Sequence, residues 1–347
     1  MKRYGNLYDS IISLDNIKLA HKNARKNKTH YSEVIMVDQD IELYSLQIQK
    51  MLAGKFYKVS EYKTFKKKDK GKIRKLYKLP YFPDRIIQHA IMQVLEPIWK
   101  ASLISDTYQA IKGRGAFKCL SKVKKNIQDD GCDYCLQIDI EKFYPSINNG
   151  ILKSVIRKKV KCKDTLTLLD EIISSCEGVP IGNYVSQYFG NLLLSDLDHK
   201  MKEVVKAKNY YRYCDDIIIL SSDKQFLIMC RCLIQKELKN LNLNLKKNHQ
   251  IYKITKSRGV DFLGVVTYKS KTKIRKRIVK SFKKLAMDID TRNAISIISY
   301  YGWVKHTHSY RLWSKYIKLY LYRITIKYKG KADQLQPIKI LRDKLCK

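Results

Sequence analysis

The tetrapeptide Tyr213-Cys214-Asp215-Asp216 sits between Tyr210-Tyr211-Arg212 and the apolar run Ile217-Ile218-Ile219-Leu220. Two adjacent carboxylates repel, and each raises the other's pKa unless a cation lies between them. The flanking residues read as strands, which puts the acids at or near the tip of a hairpin. A divalent metal accounts for such a pair, because Mg²⁺ takes one or two carboxylates together with substrate phosphates. A solvated Asp-rich turn uses the same residues for no chemistry. A further acid, Asp139, falls at the end of the apolar strand Tyr134-Cys135-Leu136-Gln137-Ile138-Asp139-Ile140, just before Phe143-Tyr144-Pro145. It reads either as a metal ligand or as the cap of a following helix. Phosphoryl transfer to a nucleotide needs two metals roughly 3.5–4 Å apart. A strand-end carboxylate plus a pair on a neighbouring hairpin is the smallest ligand set for that task. Asp139 and Asp215 are the principal candidates; Asp216 is secondary, since alternation along a strand points it away from its neighbour.

The elements that must hold these residues follow from periodicity. Residues 1–60 place apolar side chains at helical spacing, as in Ile41, Tyr44, Ile48, Met51 and Leu52, and predict helices. A Lys-rich hairpin is expected from strands Ser60–Phe65 and Ile73–Leu79 around Asp69-Lys70-Gly71. Arg74 in this hairpin, with Arg85 close by in sequence, is the candidate cation for an incoming triphosphate, because a guanidinium matches phosphate oxygens bidentately. A helix from Asp84 to Trp99 follows Pro80 and Pro83. Lys112-Gly113-Arg114-Gly115 is a basic loop whose arginine, flanked by glycines, has room to approach a phosphate; a helix through Lys125 follows. Gly178-Val179-Pro180-Ile181-Gly182 feeds a predicted long amphipathic helix, Tyr184 to about Lys206. A helix from Lys224 through Leu238 and a small β element from Val260 to Tyr268 come next. From Lys273 the composition shifts to a basic amphipathic helix with Arg275, Lys276 and Arg277, and a Tyr- and Lys-rich helical tail.

The bulk numbers agree with a polyanionic partner. The 347 residues carry 70 Lys and Arg against 32 Asp and Glu, a formal net charge of +38, and an excess of that size points to nucleic acid. The 25 Tyr add rings that stack on bases. At 45% hydrophobic residues the chain supports a globular core of two or three subdomains. The start, Met1-Lys2-Arg3-Tyr4-Gly5-Asn6, lacks a following apolar segment, and no run suits a membrane span. The nine Cys at irregular spacing fit reduced thiols, so a cytoplasmic location and no membrane partner are expected. Cys132-Asp133-Tyr134-Cys135 is a lone CxxC without a second ligand pair and reads as structural.

Taken in order, these pieces resemble the bacterial reverse transcriptases over nearly the whole chain. The series is Arg74-x5-Pro80-x4-Arg85-Ile86-Ile87-Gln88, then Lys112-Gly113-Arg114-Gly115, then Asp139-Ile140-x-x-Phe143-Tyr144. It continues with Pro180-Ile181-Gly182-x3-Ser186-Gln187, Tyr213-x-Asp215-Asp216 and Gly259-x-x-Phe262-Leu263-Gly264. The resemblance implies an α+β right-hand polymerase: an N-terminal helical extension (1–54), fingers (55–130), a palm with an antiparallel catalytic sheet (131–271) and a helical thumb and tail (272–347). It implies Asp139, Asp215 and Asp216 as catalytic carboxylates, with Ile140 beside them as a metal contact, and Mg²⁺ or Mn²⁺ as cofactor. Tyr144 matches the steric gate that excludes a ribose 2′-hydroxyl, with Phe143 next to it. Ile181, Gly182 and Gln187 fall in the segment near template base and nucleotide, and Lys246 or Lys247 near a lysine that assists pyrophosphate departure. Lys112, Arg114, Arg275, Lys276 and Arg277 are the expected nucleic-acid contacts.

Within the family, the Pro-Ile-Gly-x3-Ser-Gln segment and the tail Tyr300-Tyr301-Gly302-Trp303-x5-Ser309-Tyr310 resemble diversity-generating retroelement enzymes and the related antiphage defence enzymes. Cys214 and Ala116-Phe117 depart from the former, and both groups stay open. The implied activity is copying a cognate noncoding RNA into DNA from dNTPs. Two alternatives remain: a defence polymerase making simple-sequence DNA with an unusual template or none, and a catalytically idle RNA-binding scaffold. The intact Asp139, Asp215, Asp216 and Tyr144 weigh against the scaffold. An accessory protein, a second polymerase subunit and a homo-oligomer are all open as partners.

Overall fold

Pro83 and the apolar spacing of Ile86, Ile87, Ala90, Ile91, Leu95 and Trp99 dictate a helix over Ile86–Ala101, and all six side chains are buried. Each large apolar side chain so placed contributes roughly 1.5–3 kcal/mol relative to exposure. The computed structural model describes residues 2–69, 72–288 and 293–327. Its strands are β1 (Lys63–Asp69), β2 (Lys72–Lys78), β3 (Tyr134–Asp139), β4 (Tyr210–Tyr213), β5 (Asp216–Ser221), β6 (Gln250–Lys253), β7 (Val260–Phe262), β8 (Val265–Thr267) and β9 (Thr272–Ile274). They form three sheets, ordered β1-β2, β4-β5-β3-β6 and β7-β8-β9.

The chain divides into two compact units. One gathers Met1–Arg114, Gln137–Ile218 and Met229–His249; the other gathers Gly115–Leu136, Ile219–Ile228 and Gln250–Lys347. In the first, helix Leu14–Ala24 packs against both Ile86–Ala101 and Ile41–Ala53. The Asn16 side-chain amide donates to the Ala90 carbonyl at 3.1 Å, and Gln93 donates to the Asn16 carbonyl at 3.0 Å. The basic hairpin pairs Lys63 with Lys78 through Asp69 with Lys72. Its first strand lies further along than the expected Ser60–Phe65, running to Asp69 through Lys66, Lys67 and Lys68, while β2 is shifted by one residue from the expected Ile73–Leu79. Lysines depleted from most strands are tolerated where both faces are solvated, and Phe65 and Ile73 are themselves exposed. The turn at Lys70 and Gly71 lies outside the described residues.

The long helix expected from Tyr184 to about Lys206 is broken. Helix Ser186–Leu193 ends at Leu194, Ser195–His199 follows, and a wide turn occupies Lys200–Val204. Tyr188 through Ser195 are all buried, so no solvent stripe marks where one helix stops. In the second unit, Ile274, Phe282, Ala286, Ile297, Val304, Trp313, Ile317 and Tyr320 form a core. Phe282 stacks on Trp313 with centroids 5.0 Å apart. The expected basic helix is Lys276–Met287, and helices Asn293–Val304 and Tyr310–Lys327 pack with it. Strands β6 and β9 leave no sequence signal; at four and three residues they are too short for a period-2 pattern to show. Among the described residues, no helix is long and apolar enough to cross a membrane.

Candidate active site

Strands β4 and β5 are joined by the two-residue turn Cys214-Asp215, and Asp216 is the first residue of β5. Cys214 has a φ of 59°, in the left-handed region that costs a non-glycine residue about 1–3 kcal/mol. The turn is held from below by Arg212, whose guanidinium donates to the Cys214 carbonyl at 3.1 Å. Arg212 is itself completely buried and pairs with an equally buried Asp198, Nη2 to Oδ2 at 2.5 Å. Other donors of its fork reach the Asn191 side-chain oxygen and carbonyl, both at 3.2 Å. Asp198 accepts further from Tyr210 at 2.6 Å and Thr107 at 3.0 Å. Burial works against the Arg212 charge, yet Asp198 outweighs it and holds the guanidinium above its ordinary value. Neither residue stands out in the sequence. A lone Arg in an otherwise apolar strand is the available signal.

Asp139 ends β3 and is oriented by main chain on its far side. The Lys246 amide donates to the Asp139 carbonyl at 2.9 Å, Ile140 bridges Leu245 in antiparallel sense, and the Glu141 amide donates to the Asn244 carbonyl at 2.9 Å. The Asp139 Oδ2 accepts from the Lys246 ammonium. Its Oδ1 is buried and has no hydrogen-bond partner among the described residues. Asp215 is held above the usual carboxylate range, chiefly by burial, with the Asp139 charge adding and Lys246 opposing. Two carboxyl groups therefore sense each other in a partly dry place, and one buried oxygen is left unpaired. Desolvated, mutually repelling oxygens of this kind suit a divalent cation. Among the described residues, no three His, Cys, Asp or Glu side chains are gathered closely enough to hold an ion by themselves. Ile140 is buried and offers only main chain.

Tyr144 closes one side of the hairpin turn. The Cys214 thiol donates to its phenol oxygen at 3.3 Å. Burial first, and Cys214 second, push the phenol far above its ordinary value, so it stays protonated. Phe143 packs beside it, centroids 5.2 Å apart. Helix Ser186–Leu193 meets both rings at Gly190, where a Cβ would stand 2.9 Å from Phe143 and 3.2 Å from Tyr144.

The predicted nucleotide contacts distribute in two places within this unit. Tyr77 of β2 donates its amide to the Ile181 carbonyl at 3.0 Å, and a Cβ on Gly182 would sit 1.9 Å from the Tyr77 carbonyl oxygen. Gly182 has a φ of 141°, so both backbone and space demand glycine there. Arg85 and Gly182 line one cavity of about 100 Å³ with Gln88, Tyr77, Lys28 and Tyr31. Arg85 Nε and Gln88 Nε2 are buried there without hydrogen-bond partners among the described residues. Lys28 and Tyr31 carry no sequence signal for this role, because only folding brings the N-terminal helices to this wall. Nearby, His89 stacks on Tyr184 with centroids 3.9 Å apart; burial and Arg85 push it down to about 3. Arg74 is exposed on β2 opposite Lys67. Gln187 is exposed in the first turn of its helix, and Lys247 is exposed while Lys246 makes the contact to Asp139.

The predicted nucleic-acid contacts are unlike one another. Arg114 turns its guanidinium onto the carbonyls of Ile104 and Thr107, at 2.5 and 3.3 Å, which spends part of its donor fork on the loop. Lys112 is exposed and its carbonyl accepts from Lys100. In the second unit, Arg275 donates to Asp261 at 2.7 Å, whereas Lys276 and Arg277 are exposed.

The α+β architecture, with carboxylates at the end of β3 and in the β4–β5 turn, is that of a right-hand polymerase. The chain belongs to the reverse transcriptase (RNA-dependent DNA polymerase) family, whose model matches residues 65–267, more than half of the chain. It is similar to Protein YkfC of Escherichia coli (strain K12), 24% identical over 177 residues that cover 47% of this chain and 46% of that protein. The chain thus spans about half the length of the curated relative it matches. Among solved structures it is similar to apo telomerase from Candida tropicalis, with a TM-score of 0.48 and 14% identity over 83% of this chain and 67% of that one. Telomerase from Candida albicans, in complex with a fragment of telomeric RNA, gives 0.47 and 12% over 86% and 67%.

Proposed function

We propose that the chain is an RNA-directed DNA polymerase that extends a primer by two-metal nucleotidyl transfer, with Asp139 and Asp215 as the principal metal-binding acids and Asp216 as a secondary one. Membership of the reverse transcriptase family supports this. The observation that carries it is the state of Asp139: one oxygen on Lys246, the other buried and unpartnered beside a raised Asp215. Two carboxylates fit Mg²⁺ or Mn²⁺ only together with substrate phosphates, so the site is completed by the nucleotide. Bound divalent ions supply electrostatic stabilisation of the transferring phosphoryl group.

The chain's own residues do the rest. Asp139 and Asp215 hold and orient the charge, and Arg212 positions Asp215 through the Cys214 carbonyl. Tyr144, fixed by Cys214 and Gly190, walls off the position of a sugar 2′-hydroxyl. Lys246 neutralises Asp139 until nucleotide arrives and then donates a proton to the departing pyrophosphate. Arg74 and Arg85 meet phosphates, and Ile181 and Gly182 support the templating pair. Residues 55–130 act as fingers, 131–271 as palm and 272–347 as thumb. The template is a cognate noncoding RNA, serving either antiphage defence or a diversity-generating retroelement.

The test is primer extension by the purified chain on a defined RNA template, in Mg²⁺, in Mn²⁺ and in EDTA. Metal-dependent product complementary to the RNA, absent from Asp215→Asn, is expected. No product on any primed RNA in either metal would sink the proposal. Product of simple sequence matching no RNA present would replace ordinary copying with untemplated or unusually templated synthesis.

A further inference from the structure

A second cavity, of about 310 Å³, opens on the unit that contains Gly115–Leu136 and Gln250–Lys347. One wall is a face of helix Ala116–Gln128, where Ser121 and Lys124 follow each other at helical spacing; another is β8 and β9; the third is the turn Lys305–His308. The side chains on this wall that carry or accept protons are Lys124, Lys305, His306 and His308, and among the described residues no carboxylate lines it.

Both imidazoles are fixed before any ligand arrives. His306 stacks on Phe117, centroids 4.2 Å apart and planes at 22°. His308 is tied to β9 twice: its amide donates to the Thr272 carbonyl at 3.0 Å, and the Thr272 amide donates to His308 Nδ1 at 3.0 Å. Because Nδ1 accepts, a neutral His308 carries its proton on Nε2, which leaves that nitrogen a donor. Thr272 is itself buried, so the anchor is rigid. Two preset imidazole rings, two ammonium-bearing side chains and the Ser121 hydroxyl line one cavity with no acid beside them among the described residues, which is the donor set of an oxyanion site.

We infer that this cavity binds a phosphate group, either a phosphodiester of a nucleic-acid strand or a free phosphate. The inference is independent of the chemistry proposed for Asp139 and Asp215, which lie in the other unit. It goes beyond a generic basic surface, because it assigns the contact to four named side chains and not to the exposed Lys276 and Arg277.

Two readings on the full-length chain test it. Inorganic phosphate is titrated against the histidine ring resonances, and single-stranded RNA binding is measured by anisotropy over a salt series. The double variant Lys124→Glu, Lys305→Glu is compared with Lys239→Glu, an exposed control on helix Lys224–Asn240, and with Lys124→Arg, Lys305→Arg, which keeps the charge. Phosphate should shift His306 and His308 in the wild type and the Arg variant but not in the double Glu variant. If a strand phosphodiester occupies the cavity, the slope of log K against log salt falls by about 0.7 for each phosphate that is no longer neutralised, beyond the Lys239→Glu change. A lowered slope without a response to inorganic phosphate still assigns the strand. A histidine response with a slope equal to the control assigns free phosphate. No histidine response and no slope difference overturns the inference.

Discussion

Two pairs of ionisable side chains lie around the β4–β5 turn, and they are built in opposite ways. Arg212 and Asp198 are wholly buried, and their hydrogen bonds are met by Thr107, Asn191, Tyr210 and Cys214 as well as by each other. Asp139 and Asp215 are only partly buried, like in charge, and one oxygen of Asp139 has no partner among the described residues. A buried pair tolerates desolvation only when every lone pair and proton is met. An unmet oxygen at a strand end is a cost to the fold, retained where chemistry needs it. The contrast separates the support of the turn from its reactive edge.

The largest effect expected is on catalysis. Asp139→Asn or Asp215→Asn should lower primer extension by about three orders of magnitude or more, since the charge aimed at the transferring group is lost; gel quantitation of extended primer reads this. Removing one side of the saturated pair should act on the fold instead. Asp198→Asn leaves Arg212 charged, buried and short of an acceptor, and is expected to cost about 3–5 kcal/mol, read from urea unfolding midpoints. If Asp198→Asn unfolded like the wild type, the supporting role of the pair would be wrong.

Tyr144→Ala should keep deoxynucleotide extension and admit ribonucleotides, a change in discrimination on the order of 10–100-fold. Competition between dNTP and rNTP in one reaction measures it. Unchanged discrimination would move the gate elsewhere. The smallest effect is a pH dependence of stability. Asp215 has a raised pKa in the folded chain, so its contribution is present below the ordinary carboxylate value of about 3.9 and is lost as pH rises through the folded value. In EDTA, Asp215→Asn should therefore melt higher than the wild type near neutral pH, by about 1–3 °C, with the advantage vanishing toward pH ~4. A variant melting lower at neutral pH would contradict this.

The proposed reactive edge draws its sequence signal from a few neighbouring residues. Adjacent Asp215 and Asp216 between apolar strands, and an acid ending the strand before Phe143-Tyr144, carry their oddity within a few residues. The pair beneath is not legible, because Arg212 and Asp198 are separated in sequence and each alone resembles a surface charge. Their meaning lies in burial that periodicity does not report for the all-buried stretch from Tyr188 to Ser195. The same reason hides the helix break at Leu194. Lys246 cannot be told from Lys247 by spacing; the main-chain bond from Lys246 to Asp139 sets which of the two turns inward. The cavity shared by Lys28, Tyr31 and Arg85, and the one shared by Lys124 and His308, depend on residues far apart in sequence, which no window of the chain can join.

Whether Asp139 serves chemistry and not architecture is read most directly from primer extension by Asp139→Asn on RNA, using protein shown to melt at or above the wild-type temperature. A folded variant without extension is the predicted result. A folded variant that extends the primer at the wild-type rate would contradict the assignment of Asp139, and with it the contrast between the two pairs.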